Sequence, residues 1–151
     1  MLTTSLVELF SRDLDILAKE INSYSDEPKL WIISPDIKNC AGNLCLHICG
    51  NLQHFIGAIL GNTGYVRNRD AEFGDKNIPK KELLNSIGKT KKIIIPVLDS
   101  LSEDQLSRDY PIDVFNKKMT TSFYLIHILS HLNYHLGQIN YHRRLLDKVT
   151  T

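Results

Sequence analysis

The sequence predicts an all-α, up-down four-helix bundle with a long loop after the second helix, on three observations. Apolar residues recur every third or fourth position over four long stretches. Those stretches are separated by segments rich in Gly, Pro, Asn and charge, and 151 residues suit one ordinary domain spanning 1–151. With 42% hydrophobic and 23% charged residues, the chain has material for one core and no room for a second domain.

Leu6, Leu9, Phe10, Leu14, Leu17 and Ile21, with polar residues between them, make residues 3–24 an amphipathic helix that Ser25-Asp26-Glu27-Pro28 ends. Leu30-Trp31-Ile32-Ile33, bounded by Pro28 and Pro35, suits a single turn that tucks its tryptophan over the core. Leu44, His47, Ile48, Leu52, Phe55, Ile56, Ile59 and Leu60 carry a second helix over 39–60, and Gly61-Asn62 supplies its stop. The stretch from Gly61 to Pro79 is too long for a minimal connection. A third helix follows from Pro79 to Leu101, with Pro96 predicting a kink. Ser102-Glu103-Asp104-Gln105 reads as a capping box, and Tyr110–Phe115 as an extended or hairpin-like segment. Thr120 or Thr121 then caps a final helix to about Lys148.

A formal net charge of +1 offers no basic field for nucleic acid. Polar residues interrupt every apolar run, so none approaches the roughly 18–20 residues that span a bilayer. The N-terminus has no basic start followed by an apolar core, which together with the interrupted runs predicts a cytoplasmic protein. Cys40, Cys45 and Cys49 are odd in number and crowded, so reduced, buried thiols are expected, with Cys45 and Cys49 able to face one another.

The final helix carries His127, His131, His135, Gln138 and His142 at intervals of four, four, three and four, a single stripe. At about 1.5 Å rise per residue His131 and His135 are roughly 6 Å apart along the axis and can converge on one ion, whereas His127 and His142 are more than about 20 Å apart. A third ligand must come from another helix. The second offers His47 or His54, about 10 Å apart in rise, so either alone can serve but not both. On spacing alone the competing reading is the stronger: histidines that bridge the core to its wet edge and hydrogen-bond to carbonyls.

Leu46-His47-Ile48-Cys49-Gly50-Asn51-Leu52 together with His131-Leu132-Asn133-Tyr134-His135-Leu136-Gly137-Gln138 resembles the DinB-like superfamily, in a branch of unknown function related to metal-dependent thiol transferases. The resemblance covers nearly the whole chain, although Leu136 stands where an arginine or another polar residue is often found. It implies a four-helix bundle, often a homodimer, holding a divalent metal, commonly zinc or nickel, through His47, His131 and His135. It favours His47 over His54 and leaves His127 and His142 at the core edge or supporting the ligands. Gln138 and Asn51 could orient ligands or bind water.

Three imidazoles leave a metal position open to water or substrate, as in catalytic sites. The resemblance implies activation of a low-molecular-weight thiol first and metal-dependent hydrolysis second, and a non-catalytic metal-binding bundle is the third reading. No nucleic acid or membrane partner is expected. Arg67-Asn68-Arg69-Asp70-Ala71-Glu72 could clamp a carboxylate or phosphate, but alternating charges in a loop favour surface ion pairing.

Overall fold

The computed structural model of the chain describes residues 1–148, which form six helices and no strand: α1 (Leu2–Asn22), α2 (Ala41–Gly61), α3 (Arg69–Gly74), α4 (Lys80–Asp99), α5 (Glu103–Ser107) and α6 (Thr121–Leu146). The long helices α1, α2, α4 and α6 make the all-α bundle that the periodicity predicts. Leu6, Phe10, Leu14, Leu17 and Ile21 of α1 are all buried, so its apolar stripe is the face turned to the core. A tight turn at Glu27–Trp31 buries Leu30 and lays the Trp31 ring on Gly42, where a side-chain carbon would come within 2.7 Å of it.

Cross-helix pairs give the helix directions. Thr3 reaches Leu101, Asp15 pairs with Lys91 and Lys80 reaches Tyr24, so α1 and α4 are antiparallel. Asp13 meets Asn133 and Glu20 meets Asn140 and Arg143, so α1 and α6 are parallel. Gln53 bonds Thr90, Gly57 lies on Ile93 and Gly61 on Val97, so α2 and α4 are also parallel. The bundle is all-α with four long helices as expected, but it runs up, down, down, up and not in the simple up-down alternation that the sequence suggested. That order explains the long loop: after α2 the chain must travel back along the bundle before α4 can start, and α3 forms on that crossover.

The sequence stop signals hold. Asn62 ends α2 in the left-handed conformation (φ 50°), Ser102 and Gln105 form the capping box, and Thr120 caps α6 through Phe123 N–H. The helix of α4 runs through Pro96 to Asp99. Tyr110 N–H donates to Met119 and Thr121 N–H to Arg108, closing a short hairpin whose tip, Phe115 and Asn116, has positive φ. One segment departs from expectation: Gln53–Ala58 of α2 is π-helical. The widened turn leaves the Phe55 carbonyl to accept from Tyr110 Oη at 2.7 Å, which ties the hairpin to α2.

One expectation needs correction. By length and composition α2, at 21 residues, is apolar enough to cross a membrane, because its few polar residues do not lower the average sufficiently. In this fold it is the most enclosed helix of the bundle, with every residue from Ala41 to Leu52 except Leu46 buried. The three cysteines are unpaired and buried, as predicted, Cys40 at the N-cap of α2 and Cys45 and Cys49 one turn apart within it. The neighbouring Cys49 thiol and burial push the Cys45 thiol up.

Far from the histidine cluster, His142 is buried with both ring nitrogens engaged: Tyr24 Oη donates to Nδ1 at 2.6 Å, and Nε2 donates to the Ile32 carbonyl at 2.8 Å. Burial holds its pKa below 6.5, so the unfolded chain takes up a proton that the folded chain refuses. The stability contributed by the neutral ring is complete above about 6.5 and is lost as pH falls below it. Urea midpoints should accordingly decline between pH 7 and 5. Tyr24→Phe, which leaves Nδ1 buried without a donor, should cost about 1–3 kcal/mol at pH 7. A midpoint unchanged by that substitution would contradict this account.

Candidate metal centre

The antiparallel packing of α2 against α6 sets His47 opposite His131 and His135. His47 Nε2 lies 3.2 Å from His131 Nε2, and His131 Nε2 lies 3.0 Å from His135 Nε2. The three ligand atoms fall within 4.8 Å of one another. Bonds of about 2.0–2.1 Å to one ion, at angles between a right angle and the tetrahedral value, place neighbouring nitrogens about 2.9–3.4 Å apart.

The outer nitrogens decide which lone pairs face inward. His47 Nδ1 is 2.9 Å from Glu72 Oε1, and since a carboxylate only accepts, Nδ1 carries the proton and Nε2 a lone pair. His135 Nδ1 is likewise 2.7 Å from Gln138 Oε1. His131 Nε2 can donate to only one of the two facing lone pairs, so the other has no proton to meet. A cation between them resolves that repulsion, and the donor set fits a divalent transition metal. Burial and the neighbouring histidines push the His131 pKa down to about 4, and burial lowers His135, so both rings are neutral and able to ligate near pH 7.

Glu72 is the residue that sequence reasoning missed. It sits on α3, 5% exposed, and Arg67 clamps it with Nε and Nη2, each at 2.8 Å. Burial would raise its pKa, but the hydrogen bonds from Arg67 and His47 outweigh that and hold it below the ordinary carboxylate value. Asn43 of α2 donates to the Glu72 and Asp75 carbonyls at 2.9 Å each, pinning α3. Gly50 leaves room for the carboxylate: a methyl group there would lie 2.6 Å from Glu72 Cδ. The surface ion pairing expected for this loop is thus corrected for Glu72, which is buried beside His47, and for Arg67, which is half-buried against it. Arg69 is exposed and stacks on Phe73.

His54 does not reach the cluster; it packs against Phe55, and burial followed by Arg67 lowers its pKa. His127 stays one turn away, in ring contact with Tyr124 and Phe115. It lines a cleft of about 210 Å³ that opens beside His47 and His131, with Asn51, Phe55, Arg67 and Arg69 in its walls.

The sequence profile of a family described as a protein of unknown function, DUF1572, matches residues 3–150. None of the curated proteins matches. Among solved structures, a DinB-like protein of Bacillus cereus is similar in fold, with a TM-score of 0.72 at 16% identity, over 96% of this chain and 95% of that one. A DinB-like protein of Bacillus subtilis has a TM-score of 0.70 at 17% identity, over 97% and 94%. The fold is thus that of the DinB-like proteins.

Glu72→Gln keeps the shape but removes the charge behind His47, and should weaken Zn²⁺ binding about 10–100-fold. Gly50→Ala, which evicts the carboxylate, should do the same. Competition with a chromophoric chelator measures both, and unaltered affinity in the two variants would show that Glu72 does not tune the site.

Proposed function

We propose that this chain, which belongs to the DUF1572 family, is an enzyme that holds a divalent transition metal, zinc or nickel, at His47, His131 and His135 and activates a low-molecular-weight thiol there. The observation that carries this reading is the convergence of the three Nε2 atoms, with the opposite nitrogens of His47 and His135 anchored by Glu72 and Gln138.

A metal bound by three imidazoles supplies Lewis acidity, which lowers the pKa of a thiol or water taking the remaining position. The surrounding residues favour a thiol. Among the residues lining the adjacent cleft there is no carboxylate, and Glu72 behind it is committed to Arg67 and His47. His127 on the cleft wall can take the proton from either nucleophile, but a thiol with an ordinary pKa of about 8.5 starts far closer to neutrality than water does. Arg69 gives the cleft a positive charge that suits an anion, whereas Arg67 is already paired with Glu72.

Metal analysis of the purified protein beside His47→Ala, His131→Ala, His135→Ala and His54→Ala tests the site. The first three should lose most of their metal, and His54→Ala should keep it. Full metal content in all of the first three would sink the proposal. For the thiol, Co²⁺-loaded protein should develop a sulfur-to-cobalt charge-transfer band when titrated with cysteine. Loading without such a band would leave a metal-binding bundle and no thiol chemistry.

A further inference from the structure

The histidine cluster lies midway along the seam where α2 packs on α6. Because these helices are antiparallel, Phe55 faces Tyr124 toward one end of it, with ring centroids 5.3 Å apart, and Leu44 lies beside Gln138 and His142 toward the other. The arginine-lined cleft occupies the first side of the histidines. On the second side, about one helical turn beyond His47 and His135, a separate cavity of about 420 Å³ opens beneath the loop that precedes α2. Ligand pockets run from about 300 to 1,000 Å³, so this volume accommodates a small organic molecule.

The two cavities differ in chemistry. The first presents the guanidinium of Arg69, with that of Arg67 already paired to Glu72 behind the wall, and no acid in its lining. The second presents Ile37, Leu44, Leu145 and the ring of Tyr141, and its charges, Asp36 and Lys38, cancel. His142 adds no titrating group there, since Tyr24 and Ile32 occupy both of its nitrogens. Gln138 stands in the wall of this cavity and at the same time accepts the His135 Nδ1 proton at 2.7 Å. Among the described residues its amide nitrogen is held only by Tyr134 Oη, at a long 3.3 Å. A molecule in the cavity that draws on the Gln138 amide changes the hydrogen bond behind His135.

We infer that this cavity is a second ligand site on the same helix seam, for an uncharged, largely apolar small molecule, and that Gln138 makes its occupancy felt at His135. The second clause rests on the metal reading above; the first does not. The geometry then describes a two-ligand centre, with an anion on one side of the metal position and an apolar molecule on the other.

The test uses 1-naphthol, an uncharged fluorescent probe. Metal-free protein should bind one equivalent saturably. Leu145→Arg, at a position 53% exposed where a charged side chain does not disturb the core, should weaken that binding at least tenfold. Arg69→Ala, in the other cavity, should leave it unchanged. In Co²⁺-loaded protein, saturating naphthol should shift the visible spectrum, and Gln138→Ala should bind naphthol but lose the shift. Absence of saturable binding, or equal affinity in Leu145→Arg with its fold verified by circular dichroism, overturns the site. Binding with no spectral shift in wild type overturns the coupling. Cobalt uptake without naphthol binding sinks this inference alone, while naphthol binding without cobalt uptake sinks the metal reading and leaves the cavity standing.

Discussion

The carboxylate of Glu72 is nearly dry, and a dry charge survives only when it is paired and hydrogen-bonded. Two guanidinium donors from Arg67 and one imidazole N–H from His47 meet that need, and in doing so they fix which nitrogen of His47 faces inward. The candidate metal position thus depends on a charge that lies one layer away from it. Asn43 holds the backbone that carries Glu72, and the missing side chain of Gly50 makes space for it. Each of these residues acts on the centre through the orientation of a single ring.

This arrangement follows from the helix directions. Since α2 and α4 run parallel, their connection has to retrace the bundle, and on the way it lays α3 against the outer side of α2. A minimal turn between antiparallel neighbours would have left His47 facing solvent on that side. The crossover required by topology is also the supporting wall of the site. The parallel pair α1 and α6 is held in register by polar contacts, with buried Asp13 accepting from Asn133 and Glu20 bridging Asn140 and Arg143. These contacts set the height of His131 and His135 relative to the rest of the bundle.

Much of the fold was legible because it rests on local rules. The apolar stripe of α1, the Ser102–Gln105 box, the Thr120 cap and the Asn62 stop are short-range patterns, and the structure has all four. The facing of His131 and His135 was legible from an interval of four on one helix. Bringing in His47 took the family resemblance, since no spacing rule links two helices 84 residues apart. Glu72 was not legible: it meets His47 across 25 residues, and Arg67 through Glu72 reads like any solvated run of mixed charge. The π-helical turn and the helix directions were hidden for the same reason, since both depend on what packs alongside. The polar positions in α2 suggested interruptions to an apolar run, whereas their side chains are the ones the bundle encloses.

The hairpin between α5 and α6 has a consequence for how such a protein can diversify. Its base is anchored by backbone pairing and by the Tyr110–Phe55 bond, while its tip projects Phe115, 70% exposed, over the cleft. No ligand histidine and none of the residues supporting one lies on the tip. Exchanging or lengthening those few residues reshapes the mouth of the cleft without moving the centre behind it. Descendants of one ancestral chain could then acquire different small-molecule preferences while inheriting the same three imidazoles unaltered.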